Sequence, residues 1–157
     1  MSSVELDIQA LGFEKVSGRV YYSENKQPVF DKNTIDLLEK LNKHSNESVM
    51  RLCMHTDPQD DVHEMLMIQD SFQQVGPLRQ NRNSSVSYML LKGELEIIQY
   101  HNKVGQRERF HLSDETNALR YCRLEASVFR QITTFDRPAI FMEVASGPFD
   151  DSDTIWM

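Results

Sequence analysis

The chain has 157 residues, 39% of them hydrophobic and 26% charged, a composition that suits one globular unit with a sizeable core. Lys and Arg number 17 against 24 Asp and Glu, a net charge of −7 that argues against nonspecific nucleic-acid binding, because displacing counterions needs a basic surface. No apolar run approaches the roughly 18 residues required to span a bilayer, so neither nucleic acid nor membrane is expected as a partner.

The N-terminus, MSSVELDIQALGF, carries an early acid, no basic region and no small-residue cleavage site, so no secretory signal is expected and the reading is cytoplasmic. Cys53 and Cys122 lie far apart without CxxC spacing and are expected to stay reduced. Val4, Leu6, Ile8 and Ala10 alternate with polar residues as in a strand, and Gly18–Tyr22 reads as a second short β segment. Residues 1–28 are therefore read as an N-terminal extension, a strand or arm with no evident core role. It is expected to pair with the barrel or cross to a second subunit in a homodimer.

Asp31 is a good N-cap, its carboxylate placed to accept from first-turn amides. Ile35, Leu38 and Leu41, widened by Leu37, then form the apolar stripe of an amphipathic helix over about residues 31–43. From residue 48 the pattern changes to short apolar segments between turn residues. Strands are predicted over 49–54, 64–69, 86–91, 95–100, 108–112, 119–124, 128–134 and 139–144, with a hairpin loop at Asn102–Gly105. Eight or so such strands indicate a sandwich or jelly-roll barrel. Trp156, beyond an acidic tail, is expected to dock on it.

Several segments, in order, resemble the WbuC-like cupins, small bacterial proteins linked to surface-polysaccharide (O-antigen) gene clusters. After the helix come Arg51-Leu-Cys-Met-His55, Asp60-Asp-Val-His-Glu-Met-Leu66 and Gly93-Glu-Leu95. Arg123-Leu-Glu-Ala-Ser-Val-Phe-Arg130 and Glu143-Val-Ala-Ser-Gly-Pro-Phe149 complete the series. The resemblance implies a mainly β fold, a cupin double-stranded β-helix with a short N-terminal α-helix, as a single domain over residues 29–157. The metal-binding motif of such a cupin would read Pro-His-x-His, then Glu, ahead of an apolar strand and Gly-Glu-Leu. Counting back from Gly93 places its ligand positions on Arg79, Asn81 and Val86, and the last His of the site on Arg130. Guanidinium, amide and isopropyl groups are not divalent-metal ligands, so neither a metal nor another cofactor is expected.

By the same resemblance Arg79 and Arg130 point into the barrel mouth, where two guanidiniums would suit a carboxylate or phosphate. The plainer alternative, and the preferred one, is that each arginine is neutralised internally, by Glu64 or Glu143, and merely fills the vacated space. Tyr88 and Tyr121 are placed on strands near the same opening, with His55 and Glu143 as the only arguable acid–base companions. Barrel-lining tyrosines with hydroxyls at the rim are the simpler reading. His55 and His63 flank Asp57, Asp60 and Asp61, but the gap between them matches no recognised ligand spacing, and the loop is read as structural.

With six glycines in the chain there is no Gly-rich loop for a phosphate. The expectation is a metal-free, non-catalytic cupin that binds a small anionic or sugar-derived ligand through Arg79, Asn81, Tyr88, Tyr121, Arg130, His55 and Glu143, with no catalytic residue. The resemblance places it in surface-polysaccharide biosynthesis. A metal-independent nucleotide-sugar isomerase or epimerase, and a regulatory jelly roll acting through protein partners, are the alternatives.

Overall fold

The computed structural model describes residues 2–101 and 106–157, so the hairpin expected at Asn102–Gly105 lies outside the described residues. The chain opens with a helix, α1 (Ser3–Ala10), then β1 (Phe13–Lys15), β2 (Val20–Ser23) and a second helix, α2 (Lys32–His44). The remaining strands are β3 (Val49–Cys53), β4 (Val62–Gln69), β5 (Gln74–Gln80), β6 (Ser85–Lys92), β7 (Glu94–Tyr100), β8 (Arg107–Ser113), β9 (Tyr121–Glu125), β10 (Phe129–Thr134), β11 (Ala139–Ser146) and β12 (Thr154–Trp156). They form two facing sheets, β1-β2-β3-β4-β11-β6-β9 and β12-β5-β10-β7-β8. Among the described residues only the β2–β3 pair is parallel.

Two apolar cores follow from strand alternation, which sends successive side chains to opposite faces. Between the sheets lie Val86, Tyr88, Leu90, Leu95, Ile97, Ile132 and Phe141. Behind the seven-stranded sheet a second core joins Met50, Leu52, Leu66, Ile68 and Ile140 to the helices. This explains the unbroken apolar run Met65-Leu-Met-Ile68: Met65 and Met67 face the barrel, while Leu66 and Ile68 face the helices.

Helix α2 starts where Asp31 caps it. The Asp31 carboxylate accepts from the Thr34 amide at 3.0 Å, and the Thr34 hydroxyl accepts from the Asp31 amide at 3.3 Å. Leu37, Leu38 and Leu41 are buried against the sheet, each contributing roughly 1.5–3 kcal/mol of transfer free energy.

The N-terminal segment departs from the expected strand. Ser3–Ala10 is helical, closed by a capping box between Ser2 and Glu5 that period-two alternation of Val4, Leu6 and Ile8 conceals. Nor does the segment lack a core role, since Ile8, Phe13 and Tyr21 are among the most buried side chains of the second core. Among the described residues no helix is long and apolar enough to cross a membrane. Both cysteines are free and buried.

Candidate functional site

The sheets enclose a cavity of about 620 Å³, within the range of small-molecule sites. Strand pairing fixes its wall. Tyr22, Cys53, Met65, Glu143 and Tyr88 are successive cross-strand partners in one row across the seven-stranded sheet. Arg51, Met67 and Phe141 form the next row, two residues along each strand and thus on the same inward face. From the facing sheet Leu78, Gln80, Arg130 and Ile132 close the space.

Arg130 is the most unusual of these groups, a guanidinium only 1% exposed. Its Nε donates to the Tyr88 hydroxyl at 2.7 Å and its Nη1 reaches the Ala126 carbonyl at 3.5 Å. Among the described residues no carboxylate lies within 4.0 Å of it, so neither Glu64 nor Glu143 neutralises it by direct contact. Burial opposes its charge, but Tyr88 and Glu143 outweigh that and raise its pKa, so the guanidinium stays charged. Burial likewise pushes the Tyr88 phenol well above its usual value.

At the other side of the cavity His55 and His63 stack with ring centroids 4.0 Å apart, and Tyr22 meets His55 edge-on at 5.3 Å. His55 Nδ1 sits 3.2 Å from the Glu64 amide, while its Nε2 is buried with no protein partner. Burial first, and the neighbouring His63 second, push its pKa down to about 4, so the ring is neutral at pH 7. Cys53 also faces the cavity, but burial pushes its thiol up to about 12, which leaves it protonated and a poor nucleophile.

Of the seven residues expected to bind ligand, Tyr88, Arg130, Glu143 and His55 line the cavity, and three do not. Arg79 lies between inward-facing Leu78 and Gln80 on β5, so it points outward, its guanidinium 5.2 Å from the Phe129 ring. Asn81 is exposed just past the strand, its amide donating to the Asp153 carbonyl at 2.7 Å. Tyr121 is 49% exposed on the outer face of β9, beside Arg123. The correction on β5 is one residue of register: Gln80 and Arg82, not Arg79 and Asn81, face inward, because counting back from Gly93 cannot sense how the 81–84 turn uses its residues.

Sequence reasoning missed Arg51, which, unlike Arg79, lines the cavity together with Arg130, Arg19 and Arg82. Its signal was present in the alternation Val49-Met-Arg-Leu-Cys53, where a charged residue sits in phase with an inward Cys53. Arg82 at the mouth is already used. It donates to the Ser146 and Pro148 carbonyls at 2.9 and 2.8 Å and pairs with Asp153, which ties the C-terminal segment across the opening.

The cupin resemblance implies a divalent metal, and the residues present do not fit one. The Arg130 guanidinium and the Tyr88 phenol occupy the inward positions facing each other across the barrel, and Val86 is in the core. Among the described residues no group of three or more His, Cys, Asp or Glu side chains is arranged to hold a metal ion.

No protein-family model matches the chain, and no curated protein matches it in sequence. Its likeness is to solved structures. The capsular polysaccharide assembling protein CapF from Staphylococcus aureus shares 11% identity at a TM-score of 0.57, covering 81% of this chain and 38% of that one. Oxalate oxidase in complex with the substrate analogue glycolate shares 9% at 0.55, covering 74% and 58%. Oxalate decarboxylase from Bacillus subtilis shares 12% at 0.50, covering 63% and 24%. The chain thus spans well under two thirds of each of these proteins, and such identities speak for architecture alone. Together with the two facing sheets and the short N-terminal helices, they establish that this chain has the cupin fold.

Proposed function

We propose that this protein is a metal-free, non-catalytic WbuC-like cupin that holds a small organic anion inside its barrel, in the service of surface-polysaccharide assembly. One observation carries the reading: Arg130 is a buried cation facing a cavity, with no carboxylate in contact among the described residues. Tyr88 and Glu143 support the charge without a carboxylate in contact, and a buried guanidinium of that kind is a natural anchor for an anionic ligand. The apolar wall of Met65, Met67, Ile132 and Phe141 would take the body of the ligand. Binding without turnover is supported by the acid–base groups. The Tyr88 phenol is pushed up and His55 down to about 4, so neither is poised near neutral pH. The polysaccharide context is supported by the ordered motifs around residues 51–149 and by the fold shared with CapF.

The test is thermal unfolding with acetate, cyclohexanecarboxylate, glucuronate and phosphate. An anion that binds only the folded state raises the melting temperature by mass action, and salt erodes the gain. Arg130→Met should abolish it. If none of the four shifts the wild type, the reading fails. If the purified protein instead interconverts nucleotide sugars, it is an isomerase rather than a binder.

A further inference from the structure

Native proteins leave few buried polar atoms unpaired, and each one asks for a water or a ligand. Among the described residues six buried side-chain atoms have no partner, and three of them belong to residues lining this one cavity: Arg51 Nε, His55 Nε2 and Gln80 Oε1. Glu143 adds a carboxylate on the same wall, with no ion pair among the described residues. The wall therefore offers two kinds of demand at once. Arg51 and Arg130 need acceptors, whereas Gln80 Oε1 and Glu143 need donors.

A plain carboxylate meets the first demand and worsens the second, since it brings only acceptors toward Glu143. A neutral sugar meets the second and leaves Arg130 without an anion in contact. An amino acid supplies one ammonium for two groups that need donors, Gln80 on β5 and Glu143 on β11, which belong to different sheets. Hydroxyl groups distributed around a ring both donate and accept, and can serve several walls at once.

We infer that the ligand is a polyhydroxylated carboxylate, a sugar acid, with its carboxylate at Arg130 and its hydroxyls on Gln80, Glu143 and Arg51. The inference rests on the proposed anion site and names its chemical class. A cavity of about 620 Å³ has room for a sugar acid of one or two rings.

Calorimetric titration of the intact protein with glucuronate, cyclohexanecarboxylate, glucose and 4-aminobutyrate separates the possibilities. Glucuronate should bind at least about tenfold more tightly than cyclohexanecarboxylate, a margin of one or two well-placed hydrogen bonds, and glucose should bind no better than cyclohexanecarboxylate. Gln80→Leu should lower glucuronate affinity about tenfold and leave cyclohexanecarboxylate unchanged. Arg51→Met, on the opposite wall, is a second variant with the same expected pattern.

Equal affinity for the two carboxylates would overturn the sugar-acid inference while leaving the anion site standing. Tighter binding of 4-aminobutyrate would overturn it in favour of a zwitterion. Glucose binding as well as glucuronate would remove the role of the carboxylate, and no binding by any probe would sink both readings together.

Discussion

Arg130 on β10 and Tyr88 on β6 join the two sheets through one buried hydrogen bond, Nε to phenol oxygen at 2.7 Å. The bond fixes the guanidinium plane in the cavity but leaves its charge uncompensated by any contacting carboxylate among the described residues. A side chain kept under such conditions costs stability, and sites that break the rules of a well-packed core are where function resides. The neighbouring groups fit that view. Met65 and Ile132 make an apolar wall into which an arginine would not otherwise be placed.

This relationship predicts an asymmetry between the two partners. Arg130→Met retains much of the volume and removes a charge that no carboxylate contacts among the described residues, so the ligand-free protein should lose no more than about 1 kcal/mol, the worth of the hydrogen bond to Tyr88. Tyr88→Phe keeps the ring and strands the guanidinium, which should cost about 1–3 kcal/mol. Urea unfolding of both variants without ligand decides the matter. A large loss in Arg130→Met would mean that the arginine is satisfied internally after all.

His55 makes a pH prediction. Its pKa in the folded protein, about 4, lies below the 6.5 of an ordinary imidazole, chiefly through burial and then through His63. The unfolded chain therefore takes up this proton first. The stabilisation is whole above about pH 6.5 and is lost as the pH falls toward 4. The loss should be about 2 kcal/mol by pH 5, or roughly 4–8 °C in melting temperature. Asp60 and Arg51 also act on the ring, in opposite senses, and the backbone of Glu64 contacts it. His55→Gln should flatten the profile between pH 7 and 5. An unchanged slope in that variant would assign the titration elsewhere.

Much of the barrel was legible because its strands carry apolar residues in alternation where one face is buried and in unbroken runs where both are. Strands β6, β7 and β11 and helix α2 fall within one or two residues of their predicted bounds. Strand β5 was not predicted. Its sequence, QVGPLRQ, has a glycine and a proline in the middle and side chains that are only partly buried, so it carries no periodic signal, and tertiary pairing with β10 and β12 decides its conformation. Arg130, Tyr88, Glu143 and His55 were found because they lie on or beside well-patterned strands. Arg79 and Asn81 were misplaced because the missing strand was the one that set their register.

The N-terminal segment yields a prediction opposite to that of a detachable arm. Ile8 is fully buried between α1 and the second core, alongside Phe13, Tyr21 and Leu38. Ile8→Ala should cost about 2–5 kcal/mol through lost transfer energy and a cavity. Deleting residues 2–22 should expose the apolar outer face of β3 and β4 and lower the melting temperature steeply. A truncated protein as stable as the full chain would show that the segment is dispensable to the fold.

Gly76 tests whether the backbone around Arg130 matters as much as its side chain. The residue has φ near +94°, a conformation that L side chains resist. A Cβ built there would lie 2.5 Å from the Arg130 carbonyl oxygen and 3.0 Å from the Leu78 amide, both rigid backbone atoms. The same stretch carries the register shift in the β5–β10 pairing, between Arg130 and Ile132. Gly76→Ala cannot relieve the clash by rotating a side chain, so β5 must move away from β10 or the turn must change conformation. The expected loss exceeds about 1 kcal/mol, more than the left-handed backbone alone would cost. Because the displaced strand carries Leu78 and Gln80 on its inner face, anion binding should weaken as well. A variant whose urea midpoint and anion-dependent melting shift both match the wild type would show that the β5–β10 contact is looser than this geometry, and that Arg130 does not depend on it.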